Sequence, residues 1–191
     1  GKLLAALPEG TECYAIPHGE SSKNWALAGE LLEWLAAKNF CRDDTVIALG
    51  GGVVGDLAGF VASVYMRGVP YIQVPTTLLA AIDSSVGGKT AVDLEAGKNL
   101  TGRIYPPVAV AIDLDTLDTL PKSEWKCGLG EAVKYAVLEG GEIFDILDEG
   151  VRHDNLERLV DLCVDAKRRV VEADENENGM RRLLNLGHTV G

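Results

Sequence analysis

Through the first 118 residues, short apolar runs alternate with amphipathic stretches, and after Pro121 the pattern changes. Residues 12–16 and 45–49 read as strands, the second running straight into glycines, and residues 71–74 and 108–112 read as further buried strands. Between the first two, residues 24–38 carry apolar positions at helical spacing. Strands apolar on both faces that alternate with helices predict a parallel sheet covered by helices. Beyond Pro121 the strand signals stop. Residues 122–138, 143–148, 155–172 and 179–189 all fit a helical period, and Pro121 is placed to open the first of them. The expected architecture is α/β plus α: a partial parallel-sheet domain over residues 1–118, then a partial all-helical domain over residues 119–191. No internal repeat or low-complexity tract interrupts it.

Composition narrows the function classes. With 47% apolar and 25% charged residues the chain can bury a sizeable core. No apolar run approaches the ~18 residues needed to span a bilayer, and no leader-like series opens the chain. A net charge of -11 argues against nucleic acid, whose binding rests on neutralised phosphates. It leaves room for a small anion, because a site can be basic inside an acidic protein. Cys13, Cys41, Cys127 and Cys163 show no paired spacing, which fits free thiols in a reducing compartment and so the cytoplasm. The segment from Arg181 to Gly191 carries no stop signal, and the first residues lack an opening strand and turn. The expectation is the middle of a longer protein.

The candidate chemistry starts at the glycines. Residues 50–55, Gly-Gly-Gly-Val-Val-Gly, satisfy GxGxxG between a predicted strand and a predicted helix. That context suits a pyrophosphate at a helix N-terminus, and a bare tight turn explains the motif as well. The acid expected about 20 residues later is missing, since Pro75 stands there. Asp56 would repel a phosphate at close range. It is either a hydroxyl or amide partner for a cofactor or a first-turn acid favoured by the helix dipole. Thr76 and Thr77 follow a strand, where one hydroxyl commonly caps the next helix and two opposite a glycine turn suggest a ligand. Asp83 sits among small and apolar residues, bonded either to turn amides or to ligand hydroxyls. Lys89 and Lys98 lie beside glycines and Asn99, as a solvated pair or as ligand contacts. Glu131 and Lys134 share a helix face, which on spacing alone reads as a surface ion pair. Arg181, Asn185 and His188, spaced four and three, form another such stripe opposite Leu183 and Leu186. A Glu and a His from separate helices suit zinc, but two ligands are too few, and His18 and His153 are not placed to help.

Taken in order, GGGVVGDLAGFVA, YMRGVPYIQVPTTLLAAIDSSVGGKT, GKNL, GLGEAVKY, DENENGMR and LLNLGHTVG resemble the 3-dehydroquinate synthase family of sugar-phosphate cyclases. Residues 17–23 resemble an upstream cofactor loop of that family, with His18 where an Asp is usual and Glu20 and Lys23 as the clearer matches. The resemblance implies an NAD-binding α/β domain, a helical domain carrying a divalent metal such as Zn or Co, and a site between them. It implies conversion of 3-deoxy-arabino-heptulosonate 7-phosphate to 3-dehydroquinate and phosphate in the shikimate pathway. NAD contacts would come from Glu20, Lys23, Gly52, Val53, Val54, Gly55, Asp56, Thr76, Thr77, Lys89, Lys98, Asn99, Thr116, Leu117, Asp118 and Thr119. Arg67, Asp83, Lys134, Lys167, Arg181 and Asn185 would hold substrate, and Glu131 and His188 would be metal ligands. The family's third metal ligand and a further active-site His have no counterpart in these 191 residues, so weak metal binding and little turnover are expected of this chain alone. A homodimer is expected at full length. The rival readings are a 2-deoxy-scyllo-inosose or valiolone-type cyclase, a metal-dependent polyol dehydrogenase that releases NADH, and a non-catalytic fragment or partner subunit.

Overall fold

A computed structural model describes residues 7–174. Helix α1, Trp25–Ala37, starts where the Asn24 side chain accepts the Leu27 amide at 2.9 Å, and it buries Ala28, Leu31 and Leu35 at helical spacing. Strand β1, Val46–Gly50, passes through Gly51 into helix α2, Gly52–Val64. Eight of the last ten residues of α2 are buried, so it is a central helix rather than an amphipathic cover. It packs on β1 and on β2, Tyr71–Pro75, and also against the hairpin strand β3, Lys89–Leu94. β3 pairs antiparallel with β4, Gly97–Ile104, while β5, Ala109–Val110, joins the main sheet. That sheet runs β1-β2-β5, all parallel, with Gly50 beside Pro75 and Gln73 beside Val110.

Three helices follow: α3 (Lys122–Glu139), α4 (Gly141–Glu149) and α5 (His153–Ala173). Pro121 is the N-cap of α3, as the sequence predicts. Their core gathers Tyr135, Ile143, Ile146, Leu159 and Cys163, and it also takes in Leu78, Ala81 and Ile82 from the segment after β2. A second core joins α1 to α2 through Leu31, Leu35, Leu57, Phe60 and Val61. The segment after β2 is therefore the joint between the sheet and the helices.

The expected α/β plus α fold class is present, with two corrections. Residues 12–16 form no strand. Their alternation suits one, but a strand needs a ladder partner, and a cavity of about 770 Å³ lined by Tyr14, Ile16, Trp34, Ile47 and Leu49 lies between them and β1. The β3–β4 hairpin was not anticipated. Its buried side is carried by Thr90 and Val92, and Gly102 lets the Thr90 carbonyl come within a distance no Cβ would permit. Residues 179–189 lie outside the described residues. Among the described residues, no helix is long and apolar enough to cross a membrane.

Candidate functional site

The parallel pairing of β1 with β2 brings the glycine turn and the Thr pair together at the C-terminal ends of the strands. The Thr76 amide donates to the Gly50 carbonyl at 2.9 Å. Open α/β sheets receive ligands at this edge. A Cβ on Gly51 would come within 3.1 Å of Thr77, and one on Gly52 within 3.1 Å of the Ser84 hydroxyl. Side chains would crowd the turn at these positions, so its glycines permit the close backbone approach that suits the pyrophosphate of a dinucleotide at the start of α2. Val53, Val54 and Gly55 form the first turn of that helix, with the Val54 and Gly55 amides bonded to the Gly51 carbonyl. Thr77 also caps the next turn, accepting the Ala80 amide at 3.1 Å.

Asp56 faces away from the glycine turn and meets Lys23, whose ammonium lies 2.5 Å from its carboxylate and 2.6 Å from Asn99 Oδ1. Burial pushes the Asp56 carboxyl above its ordinary range, and Lys23 draws it only part of the way back. Asn99 holds a left-handed backbone, φ 56°, steadied by its amide donating to Asp93 at 2.8 Å. Beside it Lys98 pairs with Glu20 at 3.2 Å. Glu20, Lys23, Asp56, Lys98 and Asn99, scattered over eighty positions, therefore form one connected cluster. Lys89 stands exposed at the start of β3.

The second cluster forms across the joint. Residues Ala80–Ser84 make a π turn, a widened helical turn often found at functional sites, and it packs against α3 and α5. It turns Asp83 toward the helices. Lys167 on α5 donates to the Asp83 carbonyl at 2.5 Å and to its Oδ1 at 2.6 Å, and the Tyr135 hydroxyl donates to the same Oδ1 at 3.2 Å. Glu131 and Lys134 form an ion pair with both side chains only 7% exposed, so the surface reading of this pair is corrected: α5 and the π turn cover it. Burial alone would raise the Asp83 carboxyl, but the Lys167 and Lys134 charges with the Tyr135 hydroxyl hold it below the carboxylate range. Burial and the Asp83 charge push Glu131 up. Burial works against the Lys167 charge more strongly than Asp83 supports it, which lowers that ammonium. One turn before Lys167, the buried Cys163 thiol is pushed up to about 12 by burial and by Glu131.

Some expected residues fall elsewhere. Arg67 is exposed in a strained turn, with Met66 at φ 47° and Arg67 at φ 69°, before β2 rather than after it. The five-residue strand, ~17 Å long, separates it from the Thr pair. Thr116, Leu117, Asp118 and Thr119 lie in the 3-10 turn Leu114–Thr119; Leu117 is inside the helical core and the Thr hydroxyls bond within the turn or to Asp113. Arg181, Asn185 and His188 lie outside the described residues. His18 and His153 are exposed. Among the described residues no three metal-ligating side chains converge, and of the two expected metal ligands Glu131 falls there. Sequence reasoning missed Tyr135, which stands four residues after Glu131 and so on its face, and Cys163, four before Lys167. It also missed Ser84, whose buried hydroxyl finds no hydrogen-bond partner among the described residues.

Comparison with known proteins identifies the family. The family model described as 3-dehydroquinate synthase N-terminal matches residues 13–127, and that described as 3-dehydroquinate synthase C-terminal matches residues 128–191. The 3-dehydroquinate synthase of Alkaliphilus metalliredigens is 50% identical over 199 aligned residues, covering 100% of this chain and 56% of that protein. That of Pelobacter propionicus is 50% identical over 182, covering 92% and 51%. The chain thus spans about half the length of the curated relatives it matches. Among solved structures, a 2-deoxy-scyllo-inosose synthase complexed with carbaglucose-6-phosphate, NAD+ and Co2+ superposes with a TM-score of 0.84 at 33% identity, over 91% of this chain and 50% of that one. A 2-epi-5-epi-valiolone synthase from Streptomyces hygroscopicus with NAD+ and Zn2+ bound gives 0.82 at 31%, over 91% and 51%. A glycerol dehydrogenase from Schizosaccharomyces pombe, at 0.57 and 20%, shares the fold alone. With both family models matched end to end and this identity to its relatives, the chain belongs to the 3-dehydroquinate synthase family.

Proposed function

We propose that this chain supplies the NAD-binding and substrate-gripping part of a cytoplasmic 3-dehydroquinate synthase. Such an enzyme converts 3-deoxy-arabino-heptulosonate 7-phosphate to 3-dehydroquinate and phosphate, and acts as a homodimer. The observation that carries the reading is the adjacency of two clusters in a chain half identical to such enzymes. A glycine turn opened for a dinucleotide sits on one side of the π turn, and half-buried Asp83 with buried Lys134 and Lys167 sits on the other. When bound, NAD and a divalent metal supply reversible oxidation of a substrate hydroxyl and Lewis-acid activation.

The chain's own groups do the rest. Residues 52–55 with Thr76 and Thr77 receive the cofactor's phosphates, Asp56 accepts a cofactor hydroxyl or amide, and Glu20, Lys23, Lys89, Lys98 and Asn99 flank it, with residues 116–119 adding backbone contacts. Asp83 accepts hydrogen bonds from substrate hydroxyls. Lys134, Lys167 and Arg181 neutralise carboxylate and phosphate, Asn185 adds an amide contact, and Arg67, set apart by the length of β2, stays outside this group. Glu131 and His188 hold the metal. Four unpaired cysteines fit a reducing cytoplasm.

The test is a chimera in which this chain replaces the matching half of the Alkaliphilus metalliredigens enzyme. Release of inorganic phosphate from the heptulosonate phosphate, with no net rise at 340 nm, is the expected result. Phosphate release from glucose 6-phosphate instead would turn the assignment to the inosose branch, and NADH accumulating from a polyol would turn it to a dehydrogenase. A silent chimera would leave the non-catalytic reading standing. Light scattering on an active chimera checks the dimer.

A further inference from the structure

Tyr135 has no role in the reading above, yet it joins the two halves of the charged cluster. Its side chain is 1% exposed. Its hydroxyl donates to Asp83 Oδ1 at 3.2 Å, the same oxygen that takes the Lys167 ammonium at 2.6 Å. Its ring face lies 5.3 Å from the Lys134 ammonium, within the range of a cation–π contact. Burial and the charges of Asp83 and Glu131 raise the phenol, so the hydroxyl keeps its proton and remains a donor. One side chain thus touches a carboxylate from the π turn and an ammonium from its own helix.

We infer that Tyr135 is a positioning residue: it fixes the Asp83 carboxylate against Lys167 and the Lys134 ammonium over its ring, so that the groups meeting the substrate are aimed before it arrives. This rests on the proposed function for what the groups meet, but not for the clasp itself. An aromatic ring without the hydroxyl would still fill the core, so packing alone does not account for a phenol at this place. A buried hydroxyl that lost its partner would be costly, and here it has one on a residue 52 positions away.

Two variants separate hydroxyl from ring, each made in the 191-residue chain and in the chimera. In the chain, proton exchange of the buried ammonium groups is read by nitrogen-15 NMR. Tyr135→Phe is expected to speed Lys167 exchange roughly fivefold, the effect of one lost hydrogen bond. Tyr135→Leu is expected to speed Lys134 as well, with Lys23 in the other cluster unchanged in both. In the chimera, Tyr135→Phe should lower kcat/KM for the sugar phosphate roughly tenfold and leave NAD affinity within twofold. Unchanged Lys167 exchange in Tyr135→Phe overturns the inference, as does Lys23 accelerating in parallel, which would report general loosening. Faster exchange with unaltered kcat/KM in an active chimera also overturns it as a statement about the site. If the parent chimera turns over no sugar phosphate, the functional reading fails, and the exchange rates still decide the clasp.

Discussion

The two ends of the site hold their charges in opposite ways. At the cofactor end Glu20, Lys23 and Lys98 hang on a 3-10 turn, its end and a strand end, and Asp56 comes from the start of α2. Lys98 and Glu20 are 70% and 45% exposed, and the buried Lys23 pairs with an Asp56 that is still 21% open. At the other end Glu131 and Lys134 are each 7% exposed and Lys167 is 9%, while Asp83 keeps 29%, and the groups come from three different elements. Backbone geometry builds the first end, through a glycine turn and a strand register. Side-chain packing builds the second. Charges removed from the first should cost ligand affinity, and charges removed from the second should cost the fold.

The largest effect expected is therefore at Lys167. Replacing it by Met leaves the Asp83 carboxylate, 29% exposed, with Tyr135 as its remaining short-range donor among the contacts described. Breaking one side of a fully buried pair typically costs about 3–5 kcal/mol, and the partial exposure of Asp83 brings the expected loss here to about 2–4 kcal/mol. Urea unfolding should show a loss of that size, and a loss under 1 kcal/mol would erase the contrast between the two ends. Next comes the joint that aims Asp83. Helix α3 presses Gly128 onto the segment after β2 so closely that a Cβ there would sit 2.6 Å from Leu78 Cβ and 2.9 Å from the Leu79 amide nitrogen. Gly128→Ala should destabilise by about 1–3 kcal/mol. Two residues on, Gly130 faces open space, and Gly130→Ala should stabilise by about 0.5–1 kcal/mol through helix propensity. The same denaturation series, read for opposite signs on opposite faces of one helical turn, checks that α3 is locked to the joint on one face only.

Cys163 reports on the dry end by pH. Its thiol is pushed up to about 12 in the folded protein from an ordinary value of 9.0, because burial and Glu131 disfavour the thiolate. A group raised on folding stabilises fully below its unfolded value and loses that contribution as pH rises toward the folded one. Between pH 9 and 12 the unfolded chain gives up this proton first, so stability should fall by about 1.4 kcal/mol per pH unit more than in Cys163→Ala. Native Cys163 should also resist a thiol reagent that labels exposed Cys13, Cys41 and Cys127. Ready labelling would mean that the charged cluster is wet.

The same contrast explains how much could be read beforehand. Helix α1 was legible to within a residue at each end because its signals are local: an Asn cap and apolar positions three and four apart. The glycine turn and the Thr pair were legible because strand, turn and helix follow in sequence. The burial of Glu131 with Lys134 was not. Three-residue spacing is the same on a wet face and a dry one, and only the packing of α5 and the π turn, 36 and 48 residues away at Lys167 and Asp83, decides between them. Tyr135 was passed over for the same reason. The hairpin was hidden because glycine-flanked Lys89 and Lys98 drew attention as ligand contacts while Thr90 and Val92 carried the strand alternation. Residues 12–16 show the converse, since alternation without a ladder partner yields no strand.

The smallest expected effect on stability tests the exposed end most directly. Lys98 meets Glu20 at 3.2 Å in a pair open to solvent, and such pairs contribute about 0–1 kcal/mol at ordinary salt. Lys98→Ala should leave the unfolding midpoint of the chain nearly unchanged. If Lys98 flanks the dinucleotide as proposed, NAD affinity measured by calorimetry should nevertheless fall several-fold, and the fall should shrink as salt screens the exposed charge. A variant that binds NAD as the parent does would move Lys98 out of the cofactor site and leave the Lys23, Asp56 and Asn99 cluster to hold that side alone. A variant that unfolds would show instead that the loop charges bear structure, and the division between a site made by backbone and a site made by packing would no longer describe the molecule.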